Sequence, residues 1–557
     1  VLAVAVAAVT VIWCAGASAG VVGSVPVGAS WQTNGRVETI VVSGDTAYLG
    51  GSFTSVRPSG DPLGTGEVAR NGAAAVDITT GDLLPWNPNV TGTVQTIAVG
   101  GSTVYLGGVF SKVGGKNHKN LAEVDAVTGA PLATFKPKTN AGVYSIVLAD
   151  NLLYAGGAFT TADGVARSYL AAFDPTTGAL STTWVPTADR KVNAIALTSD
   201  GSRLVVGGTF LHVDGSMQPY LTAVSPTTGA LLPWYSHPLW ATVALAVDAN
   251  GVYTAGAGNG GNFDAYNPST GQMRWIGGVD GNVQAITVME GLVYVGGHFN
   301  NYCGPTYGAN VCRTPAARDH LLAVNELTGA VQAWHPSANG VLGVFALTGA
   351  DSTLLAGGDF TQIGGVSQQG FAEFPEITDP AVTDSAGGAW TNAATVTVTA
   401  AGSVDNAPGG LTYKYETSTD GGITWSAVRS GSPATVKGEG QTIVQFEAVD
   451  PYGNTSDWVQ DTVRIDRTPP TTPTVGLNTN ACALPGYTVT AASTDTGSGV
   501  AYYAYELSTD GGLTWTAPVQ STSGSVGAGG AEQIRFQAVD AAGNASGWSA
   551  PLSIPPC

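Results

Sequence analysis

Apolar and polar positions alternate along most of this chain in short runs broken by glycine, a period of two that predicts half-buried β-strands. Val94-Gln95-Thr96-Ile97-Ala98-Val99 is one such run, followed after a turn by Val104-Tyr105-Leu106 and a glycine pair. The same ending, Gly-Gly-x-Phe, stands at Gly50-Gly51-Ser52-Phe53, Gly107-Gly108-Val109-Phe110, Gly156-Gly157-Ala158-Phe159, Gly207-Gly208-Thr209-Phe210, Gly296-Gly297-His298-Phe299 and Gly357-Gly358-Asp359-Phe360. With a degenerate copy at Gly256-Ala257-Gly258, the motif recurs every 40 to 61 residues. After a loop of variable length comes a third strand such as Leu170-Ala171-Ala172-Phe173, then Asp174-Pro175-Thr176-Thr177-Gly178 and a fourth strand ending at Trp184. The Thr-Gly pair signals a turn, because glycine takes the positive φ that a tight hairpin needs. No 3.6-residue pattern of useful length occurs beyond the first residues, so almost no helix is expected.

Four strands repeated at this spacing predict an all-β fold, a seven-bladed β-propeller over residues 20–376. The Thr-Gly turn leads in six units to Trp86, Phe135, Trp184, Trp234, Trp275 or Trp334, whereas the seventh stops at Phe371-Ala372-Glu373-Phe374. Trp31-Gln32-Thr33-Asn34-Gly35-Arg36-Val37 reads like Trp334 to Val341. The N-terminal segment is therefore expected to supply the outer strand of the seventh blade and to hide the edges of an open ring.

From residue 377 a second repeat takes over with a constant offset of 90 residues. Tyr415 to Trp425 recurs as Tyr505 to Trp515, and Phe446 to Asn454 as Phe536 to Asn544. Short alternating strands over such lengths predict two tandem immunoglobulin-like, fibronectin type III-like sandwiches, 377–467 and 468–557, joined by the stiff Arg467-Thr468-Pro469-Pro470 linker.

The 557 residues carry 21 Lys and Arg against 40 Asp and Glu, a net charge of −19. That balance argues against nucleic acid and anionic membranes as partners, since phosphate neutralisation needs basic clusters and the sequence shows none. Residues 1–19, apolar up to Gly16 and followed by Ala17-Ser18-Ala19, fit the body and cleavage region of a secretory signal lacking its basic leader. An exported chain that keeps four cysteines after cleavage is expected to form two disulfides, Cys303 with Cys312 and Cys482 with Cys557.

Several motifs suggest enzymes. Ser418-Thr419-Asp420-Gly421-Gly422-Ile423-Thr424-Trp425 and its copy at Ser508 to Trp515 match the Asp-box of sialidases, where it is a structural hairpin. Sialidases also need an arginine triad and a Tyr–Glu pair, while the arginines here are few and fall at irregular repeat positions. The Ala172 to Trp184 segment resembles the tryptophan-docking repeat of quinoprotein dehydrogenases, in which Trp is again structural. Galactose oxidase also joins a propeller to an immunoglobulin-like domain. Its copper site is hard to assemble from His118, His212, His237, His298, His320 and His335, which are scattered over different blades. Calcium is the one cofactor the residues suggest, through Asp405, Asp450 and Asn454 and their copies Asp495, Asp540 and Asn544, with turn capping as the alternative role.

Val104-Tyr105-Leu106-Gly107-Gly108-x-Phe110, Val113-Gly114-Gly115, Leu170-Ala171-Ala172-x-Asp174 and Thr177-Gly178-Ala179-Leu180-x-x-x-Trp184 together resemble the delta-60 repeat family of secreted bacterial β-propellers. The tail resembles Ig-like modules of bacterial surface proteins. The resemblance implies a fold and no reaction. Insertions at Thr54 to Asn71 and Asn300 to His320 are expected to stand near each other on one face, because blades six and one flank blade seven. The rim they would form is the candidate binding site, through Arg57, Asp61, Glu67, Arg70, Tyr302, Tyr307, Arg313, Arg318, Asp319, His320 and Asp359. The expected role is a secreted or cell-surface binding protein for a polysaccharide, cell-wall or surface-protein partner, with no catalytic residue assigned. A hydrolase or oxidoreductase working in the propeller channel and a structural envelope component are the alternatives.

Overall fold

In the computed structural model the described residues are 22–556, apart from 29, 259, 306–311, 313–314, 351, 406–409, 452 and 478–486. The proposed signal segment, Tyr307, Arg313, Cys482 and Cys557 lie outside them. The fold is all-β, with no helix among the described residues, and its larger part is propeller-like. Among the described residues seven antiparallel meanders follow one another. Their inner strands are Val37–Ser43, Val90–Gly100, Val143–Ala149, Val192–Leu197, Ala241–Val247, Asn282–Met289 and Val344–Ala350. Each inner strand packs against the next, and the last against the first, in a closed circuit. The meanders are numbered one to seven in this order.

Among the described residues only meander five has a full fourth strand, Met273–Val279; elsewhere the outer segment touches the third strand through a single bridge, as Val76 does Leu83 and Phe173 does Leu180. The expected regular fourth strand is absent because prolines crowd these segments, among them Pro85, Pro131, Pro186 and Pro233, and proline cannot donate to a ladder.

Tryptophans tie the outer segments to the next meander. Each ring N–H donates to a carbonyl at the third-strand turn of the following meander: Trp86 to Asp125 at 3.0 Å, Trp184 to Ser225 at 3.1 Å, Trp234 to Pro268 at 3.0 Å and Trp275 to Glu326 at 2.8 Å. Phe135 has no such donor and rests edge-on against Tyr105, with ring centroids 5.5 Å apart. Between meanders the core is a buried layer, for example Tyr154, Leu170 and Trp184 against Val192, Ile195, Val206 and Phe210.

The glycine pairs make this packing possible. A Cβ on Gly156 would lie 2.5 Å from Val192 of the next meander, and one on Gly157 would lie 2.2 Å from the carbonyl oxygen of Gly142. The first glycine lets sheets approach, and the second lets the inner strand bend past its neighbour. Gly157→Ala is expected to lower stability by about 1–3 kcal/mol, the cost of overpacking against backbone that cannot yield. Urea unfolding reads this directly, and an unchanged midpoint would show that the contact relaxes freely.

The ring closes on the N-terminal segment. Gly23 N–H donates to Pro375 O and Val27 N–H to Glu373 O, both at 2.8 Å, so residues 22–27 run beside Phe371–Pro375. The tryptophan relay continues across the break: Trp334 donates to Gly23 O at 3.1 Å and Trp31 to Gly81 O at 3.0 Å. Gln32–Thr33 then pairs with Ser55–Arg57 of meander one.

Beyond Pro375 lie two further pairs of sheets. The first sets Ala381–Asp384, Val396–Ala401 and Ala434–Val436 against a sheet centred on Gly440–Val449 around Val398, Val444, Phe446 and Val463. The second repeats this with Thr488–Ala492 and Gln533–Asp540 around Val489, Ile534 and Phe536.

Candidate functional site

Among the described residues the two insertions do not pair across meander seven. Ser55–Arg57 pairs with the N-terminal strand Gln32–Thr33, which belongs to the edge of meander seven. Asn301–Gly304 instead pairs with Met273–Val279, extending the sheet of meander five to six strands. Each loop leans back on the meander before it. The cause is an Asn or Asp in the connection ahead of most inner strands, whose side-chain oxygen accepts two backbone N–H groups of the next loop. Asn34 takes those of Thr54 and Ser55, Asn140 those of Thr160 and Thr161, Asp280 those of Asn300 and Asn301, and Asn339 those of Thr361 and Gln362. Among the described residues no hydrogen bond or strand pairing joins the two insertions, whose described parts lie on different meanders where a single rim was expected.

Many of the rim residues are tied into the scaffold. Arg57 is only 4% exposed, and its guanidinium holds Asp61 O at 2.9 Å and Gln369 Oε1 at 2.8 Å. Glu67 accepts from the Ser55 hydroxyl and Gly64 N–H, bonds that hold its carboxyl below the usual range. Arg70 and Arg318 stitch the loop to the outer segment by donating to Leu84 O and Gln332 O, and Arg167 does the same to Ser181 O. Three of the arginines thus share one repeat position, while the others remain irregularly placed. His320 is buried against Gly297 O at 3.0 Å, Asp319 accepts from the Ser337 hydroxyl at 3.4 Å, and Asp359 caps Leu342 and Gly343 N–H. Tyr302 packs near Phe263, ring centroids 6.4 Å apart, beside the Cys303–Cys312 disulfide.

Of the calcium candidates, Asp450 accepts both the backbone and side-chain N–H of Asn454, and Asp540 does the same for Asn544, so both pairs cap turns. The structure adds a residue the sequence did not suggest. Asp466 in the linker joins Asp495 and Asp540, with one oxygen from each lying within 4.8 Å of the others. Asp405 sits against Gly23 of the N-terminal segment.

A different site lies on the propeller axis. In all seven inner strands the pairing to the second strand skips one residue, a β-bulge that turns a side chain towards the axis. The skipped residues are Glu38, Gln95, Tyr144, Asn193, Val243, Gln284 and Phe345, and all seven line one cavity of about 360 Å3, together with Lys191, Ala257 and Asn282. This volume falls in the range of small-ligand sites. The bulges lie towards the starts of the strands, the end where the inter-strand loops emerge. Glu38 is paired with Arg36, Nε to Oε1 2.7 Å, and Arg36 stacks 4.4 Å over the Phe345 ring. Burial pushes the Glu38 carboxyl up while Arg36 pulls it back. Asn193 donates to Thr242 O at 2.9 Å. The side-chain oxygens of Gln95 and Gln284 are shut off from solvent and accept no hydrogen bond, so the protein does not tie either amide down. The signal was present in the sequence: Val-x-small-Ile or Leu recurs in most inner strands, as in Val37-Glu38-Thr39-Ile40 and Val283-Gln284-Ala285-Ile286, and only x varies freely.

A second recess, on meander two, is lined by Lys116, Lys119, Lys136 and Lys138. The expectation that basic residues form no cluster is therefore corrected. No helix among the described residues is long and apolar enough to cross a membrane.

No family model matches this chain, and no curated protein does. Solved structures that align with it include the crystal structure of the computationally designed Ika8 protein, at 16% identity over 64% of this chain and 100% of that one, TM-score 0.38. Another is the WD40 β-propeller domain of Doa1, at 10% identity over 62% of this chain and 96% of that one, TM-score 0.40. At these values the likeness says nothing of function.

Proposed function

We propose that this chain is a secreted or cell-surface binding protein. On this reading residues 20–376 form a seven-bladed propeller of the delta-60 repeat type that recognises a glycan or protein partner. Residues 377–467 and 468–557 are Ig-like units that space or attach it. The convergence of seven independent bulges on one axial cup carries this reading. The cup presents amides and two aromatic rings, a lining suited to holding a polar ligand. Its single carboxylate among the described residues, Glu38, is already engaged by Arg36. Hydrolysis of a glycosidic bond ordinarily needs two placed carboxyls, so the lining favours recognition over that chemistry.

The test is a binding screen of the full chain against polysaccharides, cell-wall preparations and surface proteins, with Tyr144→Ala and Val243→Trp alongside. The first variant removes an aromatic face and the second fills the cup. Each is expected to weaken saturable binding about tenfold or more, equivalent to losing ~1.4 kcal/mol of contact. Binding that ignores both variants would remove the cup from the proposal. No binding in any fraction would favour a structural component, whose mark is self-association.

Calcium belongs to the same reading as a clamp between the two C-terminal units, held by Asp466, Asp495 and Asp540. Chelation is then expected to lower the melting temperature of the full chain, and substitution Asp495→Asn to abolish that response. A melting temperature indifferent to chelator would leave these residues as turn caps.

A further inference from the structure

The recess on meander two lies where three other meanders carry a stitch between loop and outer segment. In meanders one, three and six an arginine, Arg70, Arg167 or Arg318, reaches a carbonyl fourteen residues on, at Leu84, Ser181 or Gln332. The equivalent of that arginine in meander two is His118, too short to reach Leu132. In place of the stitch lies a cavity of about 490 Å3. His118 forms part of its wall, 5% exposed, with a ring nitrogen, Nδ1, that is out of reach of water and has no hydrogen-bond partner. Burial and the charges of Lys136 and Lys116 disfavour its protonation.

Around this cavity stand Lys116 and Lys119 from the loop, and Lys136 and Lys138 from the outer segment. They are four of only eight lysines in a chain of net charge −19. None of the four makes an ion pair among the described residues, whereas Lys414 and three arginines elsewhere do. Like charges gathered round a recess without counter-charges repel one another, and an anion seated between them relieves that repulsion.

We propose that the recess on meander two is an anion-binding subsite that takes a negatively charged segment of a polysaccharide. The ligand class follows from the charge distribution. Four lysines converge on a cavity large enough for one or two anionic groups, while the acidic remainder of the surface opposes a long, uniformly charged polymer such as duplex nucleic acid. The subsite is separate from the axial cup, and neither depends on the other.

The experiment titrates the full chain with a heparin oligosaccharide, a phosphomannan and an oligogalacturonate, which offer sulfate, phosphate and carboxylate, and with duplex DNA. At least one of the three glycans is expected to bind saturably and to weaken as salt rises. Lys116→Ala/Lys119→Ala and Lys136→Ala/Lys138→Ala are each expected to raise Kd about tenfold or more. These lysines are solvent-exposed, so thermal unfolding should not move. His118→Arg separates a built recess from a charged surface: restoring the stitch fills the cavity while adding positive charge, so binding is expected to weaken. The inference is overturned if none of the glycans binds, if His118→Arg tightens binding, or if duplex DNA binds as tightly as the best glycan.

Discussion

Trp184→Ala is expected to lower the stability of the propeller by about 3–5 kcal/mol, the range for removing a large buried aromatic side chain. Trp184 is fully buried and stands edge-on to Tyr154, ring centroids 5.0 Å apart. It fills the layer between meanders three and four, and its N–H also satisfies Ser225 O. Alanine would therefore leave a cavity and an unpaired carbonyl together. Trp184→Phe keeps most of the volume and loses only the donor, for which about 1 kcal/mol is expected. Meander two already tolerates this state, with Phe135 in the same place. Equilibrium urea unfolding separates the two variants. A loss below about 1 kcal/mol for alanine would mean that the relay of ring N–H bonds is incidental to closure.

The second large effect is a fall in stability as pH rises from mildly acidic to alkaline. Burial pushes Asp264 up to about 7 from an ordinary 3.8, and Glu373 and Glu376 up to about 7 from 4.5. For Glu376 the carboxylates Glu290, Asp457 and Asp379 add to the burial. Each group holds its proton more tightly folded than unfolded. Its contribution is thus complete below about pH 4 and is lost as pH climbs through about 7. For Asp264, fully buried, the shift corresponds to roughly 4 kcal/mol at most. At the acid end Asp189, Asp200, Asp420 and Asp510 act oppositely. Hydrogen bonds hold them at about 2, so their contribution disappears as pH falls below their ordinary 3.8. The melting temperature should peak between about pH 4 and 6 and decline on both sides, with Asp264→Asn flattening the alkaline limb. A maximum above pH 7 would contradict this.

Much of the scaffold is legible in the sequence because repetition amplifies weak local signals. A single Gly-Gly-x-Phe is ambiguous, but several copies at a steady spacing set strand order, and Trp31 reads as an outer-strand tryptophan without its own blade. The local Cys303–Cys312 pairing was legible for a similar reason: the two residues lie close along the chain. What escaped was direction. Nothing in the Thr54 to Asn71 loop says that it leans backward, since the instruction sits in Asn34 of the preceding connection, and a side chain capping two distant N–H groups leaves no periodic trace. The cup escaped because the eye follows what recurs, whereas Glu38, Gln95 and Tyr144 stand at the position that does not. His118 and its lysines escaped for the opposite reason. Overall acidity masks a local excess, and only the comparison with Arg70, Arg167 and Arg318 shows that a stitch has been exchanged for a cavity.

The closure of the ring also decides how the molecule bears load. Phe371–Pro375 is bonded on one side to Thr353–Gly358 and on the other to the N-terminal residues 23–27, and the chain leaves it directly for the C-terminal sheets. If those sheets are the anchor, tension enters the propeller along this one strand. The bonds on its two flanks lie across the line of pull and are loaded together, not unzipped one at a time. The seam in the ring is then its mechanical clamp, and stretching single molecules from the C-terminal side should show one abrupt rupture of the propeller in place of a stepwise peeling of meanders.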